Sequence, residues 1–257
     1  MNLDYYKGKR GLTSTGLKMI ALITMLVDHI GASIVERYLF ANGIGLLSLN
    51  SDTGVTFMQV FDVVLRIIGR IAFPVFCFCI VEGFHYTRSR VSYMVRMFLF
   101  AVISEAPFDF AFSGKFVDWS HQNVFMTLGI AILALWIIED VLPRQNFYNE
   151  ANKKIFIILI YVGTAILSEV LRADYGALGI AAICVIYSGR MRGRQKAMAM
   201  GDVILTIGNL LEISSFLSVV LIHFYTGKRG RGMKYFFYIF YPVHLLILGV
   251  ICKYMGI

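Results

Sequence analysis

Apolar side chains occupy long stretches of this chain, over residues 16–35, 57–84, 91–112, 122–139, 155–171, 175–187 and 235–254. Several approach the ~20 residues that an α-helix needs to cross ~30 Å of hydrocarbon, and lipid tolerates no exposed irregular backbone. The pattern predicts an all-α, polytopic bundle of membrane-spanning helices. Thr13 or Ser14 stands where a cap starts the first helix. Pro74 lies inside the second and predicts a kink or an opened backbone ladder.

Charged residues fall between these runs and order them. Lys7, Lys9 and Arg10 precede the first; Arg88 and Arg90 follow the second; Arg144, Lys153 and Lys154 separate the fourth from the fifth; Arg190, Arg192, Arg194 and Lys196 follow the sixth. The other connections, 36–59, 113–121 and 172–174, hold fewer cations. Basic loops stay cytoplasmic, so the N-terminus is expected inside. Residues 197–226 have basic residues at both ends, Arg192, Arg194 and Lys196 before and Lys228, Arg229, Arg231 and Lys234 after. A stretch of that length with both ends on one side predicts two short spans or a re-entrant hairpin, with Gly208-Asn209 and Glu212 near its turn. The expectation is eight or nine membrane segments in a single domain over residues 1–257.

Composition agrees. Of 257 residues 58% are hydrophobic and 16% charged, with a mean hydropathy of +0.71; an ordinary soluble domain carries roughly 25% charged residues. The net charge of +8 lies in short loops, which points to orientation and anionic lipid headgroups as partners rather than to nucleic acid. Cys77, Cys79, Cys184 and Cys252 sit in apolar runs as small hydrophobes, without zinc spacing, so neither disulfide nor metal is expected.

Ionisable groups inside the spans are costly, about +2.5 to +3.5 kcal/mol at mid-bilayer, and so mark candidate chemistry. They are Asp28 and His29, Arg70 and Glu82, Glu105 and Asp109, and His244, with Asn123 at the mouth of the fourth span. At ~1.5 Å per residue His29 and Glu105 both lie roughly 20 Å from the cytoplasmic end, with Arg70 and His244 nearer the midplane. These depths suggest one polar cavity, in which Arg70 and Glu105 are either a structural ion pair or part of the site. Asp28 and His29, as sequence neighbours, point about 100° apart. The imidazole of His29 can exchange a proton near neutral pH. His121 and His223 are read as structural. No nucleophilic-serine elbow, phosphate-cradling glycine loop or His-Glu-x-x-His helix occurs. A proton-coupled carrier and a transferase using general-base catalysis both fit what remains.

The runs Gly16-Leu17-Lys18 to Val27-Asp28-His29-Ile30-Gly31, Gly69-Arg70-Ile71-Ala72-Phe73-Pro74 with Glu82-Gly83-Phe84, Ser104-Glu105-Ala106-Pro107-Phe108-Asp109, His121-Gln122-Asn123-Val124, Asp174-Tyr175-Gly176 and Tyr238-Ile239-Phe240-Tyr241-Pro242-Val243-His244, in that order, resemble the TraX family. The resemblance implies a multi-span acyltransferase, since the family is named for a conjugation protein that acetylates pilin. It also implies acyl-CoA, most simply acetyl-CoA, as co-substrate, and an intramembrane histidine as catalyst. On this reading His29 is the general base, Arg70 stabilises the oxyanion, and Glu105 or Asp28 orients the imidazole. Asn123, His244, Tyr241 and Glu82 bind substrate, and Arg88 and Arg90 hold the coenzyme phosphates. The acceptor, a protein N-terminus, a glycan or a lipid headgroup, is left open. The alternative is a proton-coupled small-molecule transporter; a purely structural membrane partner is the third reading.

Overall fold

The computed structural model describes residues 11–45, 57–145 and 149–257. Lys7, Lys9 and Arg10, and part of the 36–59 connection, lie outside the described residues. Helix α1 (Ser14–Ala41) starts at Thr13, whose hydroxyl accepts from the Gly16 amide at 3.1 Å. It is α-helical to His29, widens to a π-helix over Ile30–Val35 and resumes over Glu36–Ala41, running past the expected end at 35. The second span is two helices, α2 (Phe57–Gly69) and α3 (Ala72–Tyr86). The break lies at Arg70-Ile71 and not at Pro74 itself. Proline lacks the N–H that would bond the carbonyl four residues back and crowds that carbonyl, which belongs to Arg70.

Helix α4 spans Arg90–Ser113, and Val124–Arg144 forms α5, which turns π-helical at Ile137 and 3₁₀ at Leu142. Helices α6 (Glu150–Val170) and α7 (Gly176–Gly189) follow, then α8 (Arg194–Gly208), a 3₁₀ stretch over Leu210–Phe216, α9 (Leu217–His223) and α10 (Lys234–Met255). Among the described residues five stretches are helical, long and apolar enough to cross a membrane: α1, α2 with α3, α4, α5 and α10. That is fewer than the expected eight or nine. Helix α7 has only 14 residues, about 21 Å, and α6 carries Glu150, Lys153 and Lys154 in its first turns. Among the described residues there is no strand, only the isolated bridges Leu12–Tyr225 and Gln122–Ala173.

Helix α3 is the hub. It is apolar on every side and packs against α1, α5, α7 and α8, burying Phe73, Val75, Phe78, Val81 and Phe84. A helix with apolar residues all round belongs in an interior. The four cysteines are buried free thiols. Helix α10 lies along α4, and α1 crosses both α2 and α3. Where α1 meets α2 the backbones nearly touch, because a Cβ on Gly69 would overlap Cβ and the carboxylate of Asp28. Gly69→Ala is therefore expected to destabilise the protein by about 1–3 kcal/mol, the usual cost of overpacking. Thermal denaturation of the detergent-solubilised protein measures it, and an unchanged Tm would show that the crossing is loose.

The 194–226 segment folds back on itself as a hairpin. Its two ends lie together, with the Arg194 guanidinium 5.1 Å from the Tyr225 ring centroid. Its 15-residue first arm rises only about 22 Å, short of a full crossing. Asn209 is extended and ends α8, and its side chain accepts from the Leu211 amide at 2.9 Å. The tip docks where α2 and α3 separate: Ser214 Oγ donates to the Ile67 carbonyl at 2.8 Å, and Glu212 meets Arg70.

Candidate functional site

Helices α1 and α10 bring His29 and His244 together. Nδ1 of His29 lies 2.7 Å from Nε2 of His244, and the rings are nearly parallel with centroids 5.0 Å apart. Nδ1 of His244 lies 2.8 Å from the Phe240 carbonyl, one turn back in α10. A carbonyl only accepts, so His244 carries its proton on Nδ1 and in the neutral ring offers the lone pair of Nε2. His29 must then donate from Nδ1, which leaves its own Nε2 as a free base. The tautomers of both rings follow from this chain of bonds. Phe112 and Tyr241 meet the His29 ring edge-on at 5.5 and 5.9 Å, and Phe240 stacks on His244 at 4.9 Å. Just beyond His29 the π-helical turn begins, and Ser33 Oγ donates to the His29 carbonyl at 2.6 Å. Such turns widen a helix locally and recur at functional sites.

The expected single cavity divides into three groups. Asp28 does not orient His29; its Oδ2 takes Arg66 Nη1 at 2.8 Å, while Arg66 Nε also reaches Glu36 at 3.3 Å. Arg70 does not pair with Glu105. Its Nη1 donates to Glu212 at 3.0 Å and lies 3.4 Å from the Tyr175 hydroxyl, and Asp28 is 3.9 Å from Nη2. Nε of Arg70 is buried and has no hydrogen bond among the described residues, so one donor remains to spare.

Glu105 forms the third group with Asn123. Asn123 caps α5, its Oδ1 accepting from the Phe125 amide at 3.1 Å, while Nδ2 donates to the Ala101 carbonyl at 2.7 Å and to Glu105. Its side chain is thereby committed to holding Glu105 in place. Glu105, Asp109 and Asp118 with Trp119 line a pocket of about 220 Å³ open to one side. In that loop the Ser120 amide donates to Asp118 and holds its carboxyl below the usual range. Phe112, two turns along α4, and not Glu105, touches His29.

The remaining candidates sit at the opposite end of the bundle. Glu82 accepts from the Tyr225 hydroxyl at 3.2 Å with Arg194 at 3.8 Å. Arg90 pairs with Asp140 at 3.0 Å and lies over the Phe84 ring, whereas Arg88 is exposed. Arg66, Glu36 and Glu212 were not among the sequence candidates. Asp62 and Arg66 in α2 and Arg70 just past its end recur every fourth residue, a signal that places Arg66 beside Arg70; nothing local announces the Glu212 contact.

Fold and site together define a helical membrane protein built around a partly buried imidazole pair flanked by an intramembrane ion-pair cluster. The TraX protein family profile matches residues 14–252, and the chain belongs to that family. It is 27% identical to the "Probable fimbrial assembly protein FimC, serogroup H1" of Dichelobacter nodosus, over 90% of this chain and 92% of the relative. No solved structure matches it.

Proposed function

We propose that the protein transfers an acyl group, most simply acetyl, from cytoplasmic acyl-CoA to an amine or hydroxyl that enters from the opposite side of the bacterial cell membrane. The observation that carries this reading is the fixed tautomer of His29, whose Nε2 lone pair is held available by His244 and the Phe240 carbonyl. As the acceptor nitrogen or oxygen bonds to the thioester carbon, His29 Nε2 takes its proton. The C–S bond then breaks, and the imidazolium returns the proton to the departing thiolate. The spare N–H of Arg70 is the donor we assign to the developing oxyanion. Family membership supports acyl transfer, and the name of the relative supports work in fimbrial assembly, with a protein N-terminus as the favoured acceptor.

The direct test is donor binding. Acetyl-CoA should raise the Tm of the purified protein, by about 2.7 kcal/mol of stabilisation at a hundred times Kd. A folded, monodisperse sample with no shift at millimolar acetyl-CoA supports the proton-coupled transporter, for which a membrane-embedded cluster of Asp28, Arg66, Arg70 and Glu212 also has a use.

Orientation has its own test. Reporters fused after Lys196 and after Lys228 should both read cytoplasmic, with one at Gly208 external or shielded; opposite readings at Lys196 and Lys228 would remove the hairpin from the membrane topology.

A further inference from the structure

We propose that the loop Gly227-Lys228-Arg229-Gly230-Arg231-Gly232 is a phosphate-binding site that takes the phosphate groups of the nucleotide-bearing acyl donor, an inference that rests on the donor reading above. The loop is fixed in place and not merely charged. Its carbonyls are turned onto the first turn of α1: Ser14 N donates to the Lys228 carbonyl at 2.8 Å and Thr15 N to that of Arg229 at 3.2 Å. The Thr15 hydroxyl contacts the carbonyls of Arg229 and Arg231 at 3.0 and 2.6 Å.

With the carbonyls spent on α1, the side chains of Lys228, Arg229 and Arg231 are exposed, and among the described residues none of them forms an ion pair. The sequence supplies no neighbouring counter-ion either, since no Asp or Glu follows Glu212 before residue 257. Two left-handed glycines shape the loop, Gly227 at φ +74° and Gly230 at φ +75°. A Cβ on Gly230 would strike Thr13 Oγ1 at 2.5 Å and Thr15 Oγ1 at 3.0 Å, so only glycine fits there. Charge that served orientation alone would need none of this. Arginine forks and a lysine point charge carried on one rigid turn are the chemistry that recognises phosphate.

The loop is seated on the start of the same helix that carries His29. From Thr15 to His29, along one helix, the rise is about 21 Å. The pantetheine arm has some thirteen bonds between its phosphorus and sulfur, roughly 15 Å at the extension of a peptide chain. The His29 side chain leans back toward the helix start and shortens the gap. Arg90, tied to Asp140, is displaced from this role.

The test measures binding to the full chain in nanodiscs of zwitterionic lipid, with coenzyme A and adenosine 3′,5′-bisphosphate as probes. The triple variant Lys228→Gln, Arg229→Gln, Arg231→Gln should bind both at least tenfold more weakly, while His29→Ala binds them as the parent does. Gly230→Ala, which changes no charge, should also weaken both. A parent that binds coenzyme A beside a triple variant that binds it equally overturns the site and leaves the donor reading standing. A parent that binds no coenzyme A overturns both. Full binding by Gly230→Ala, or a loss seen only when anionic lipid is present, assigns the charge to the membrane surface and overturns the site as well.

Discussion

His29→Ala is expected to reduce acyl transfer by about 10² to 10⁴, the usual contribution of a general base, while coenzyme A affinity stays at the parent level. The size follows from the geometry, because His29 Nε2 is the one ring nitrogen of the pair whose lone pair the hydrogen-bond chain leaves unengaged. His244→Ala should give a smaller loss in kcat with KM unchanged, since it removes the acceptor that holds the His29 proton on Nδ1 but leaves the ring itself. Steady-state kinetics on the purified protein separates the two. A well-folded His29→Ala protein working at the parent rate would end the assignment.

The second large effect concerns stability. Glu212→Ala leaves the Arg70 guanidinium, with only 11% of its side chain exposed, without its closest carboxylate. Removing one partner of a buried ion pair typically costs about 3–5 kcal/mol, because the other charge stays desolvated. Glu212 also lies at the hairpin tip, beside the Ser214 contact to Ile67, so the loss should loosen the tip first. A lowered Tm with faster proteolysis in the 209–216 stretch is the expected result, and an unchanged Tm would mean that Asp28, 3.9 Å away, carries the charge balance unaided. The double variant Glu212→Ala, Arg70→Met should recover part of the loss, as replacing a buried pair by apolar groups often does.

How much was legible before the structure depends on the range of the interaction. The class of fold is written in local runs of apolar residues, because a helix in lipid satisfies its backbone within itself and needs no partner to be recognised. The break at Arg70 was anticipated in kind but placed at Pro74, since a proline acts on the carbonyl one turn earlier. That His29 and His244 lie inside apolar helices was legible from the runs around them.

The partnerships were not. Counting 1.5 Å per residue gives the height of a side chain along its own helix but says nothing of its direction around it. Arg70 and Glu105 therefore looked like partners, whereas the packing turns Arg70 to Glu212, 142 residues away, and Glu105 to Asn123. The sequence alone determined an all-helical membrane bundle with ionisable groups inside its apolar runs, because each of these rests on contacts within a turn or two of chain. Only the tertiary structure decided that His29 and His244, 215 residues apart, share one hydrogen bond, because that contact depends on how α1 and α10 are rotated against the rest of the bundle.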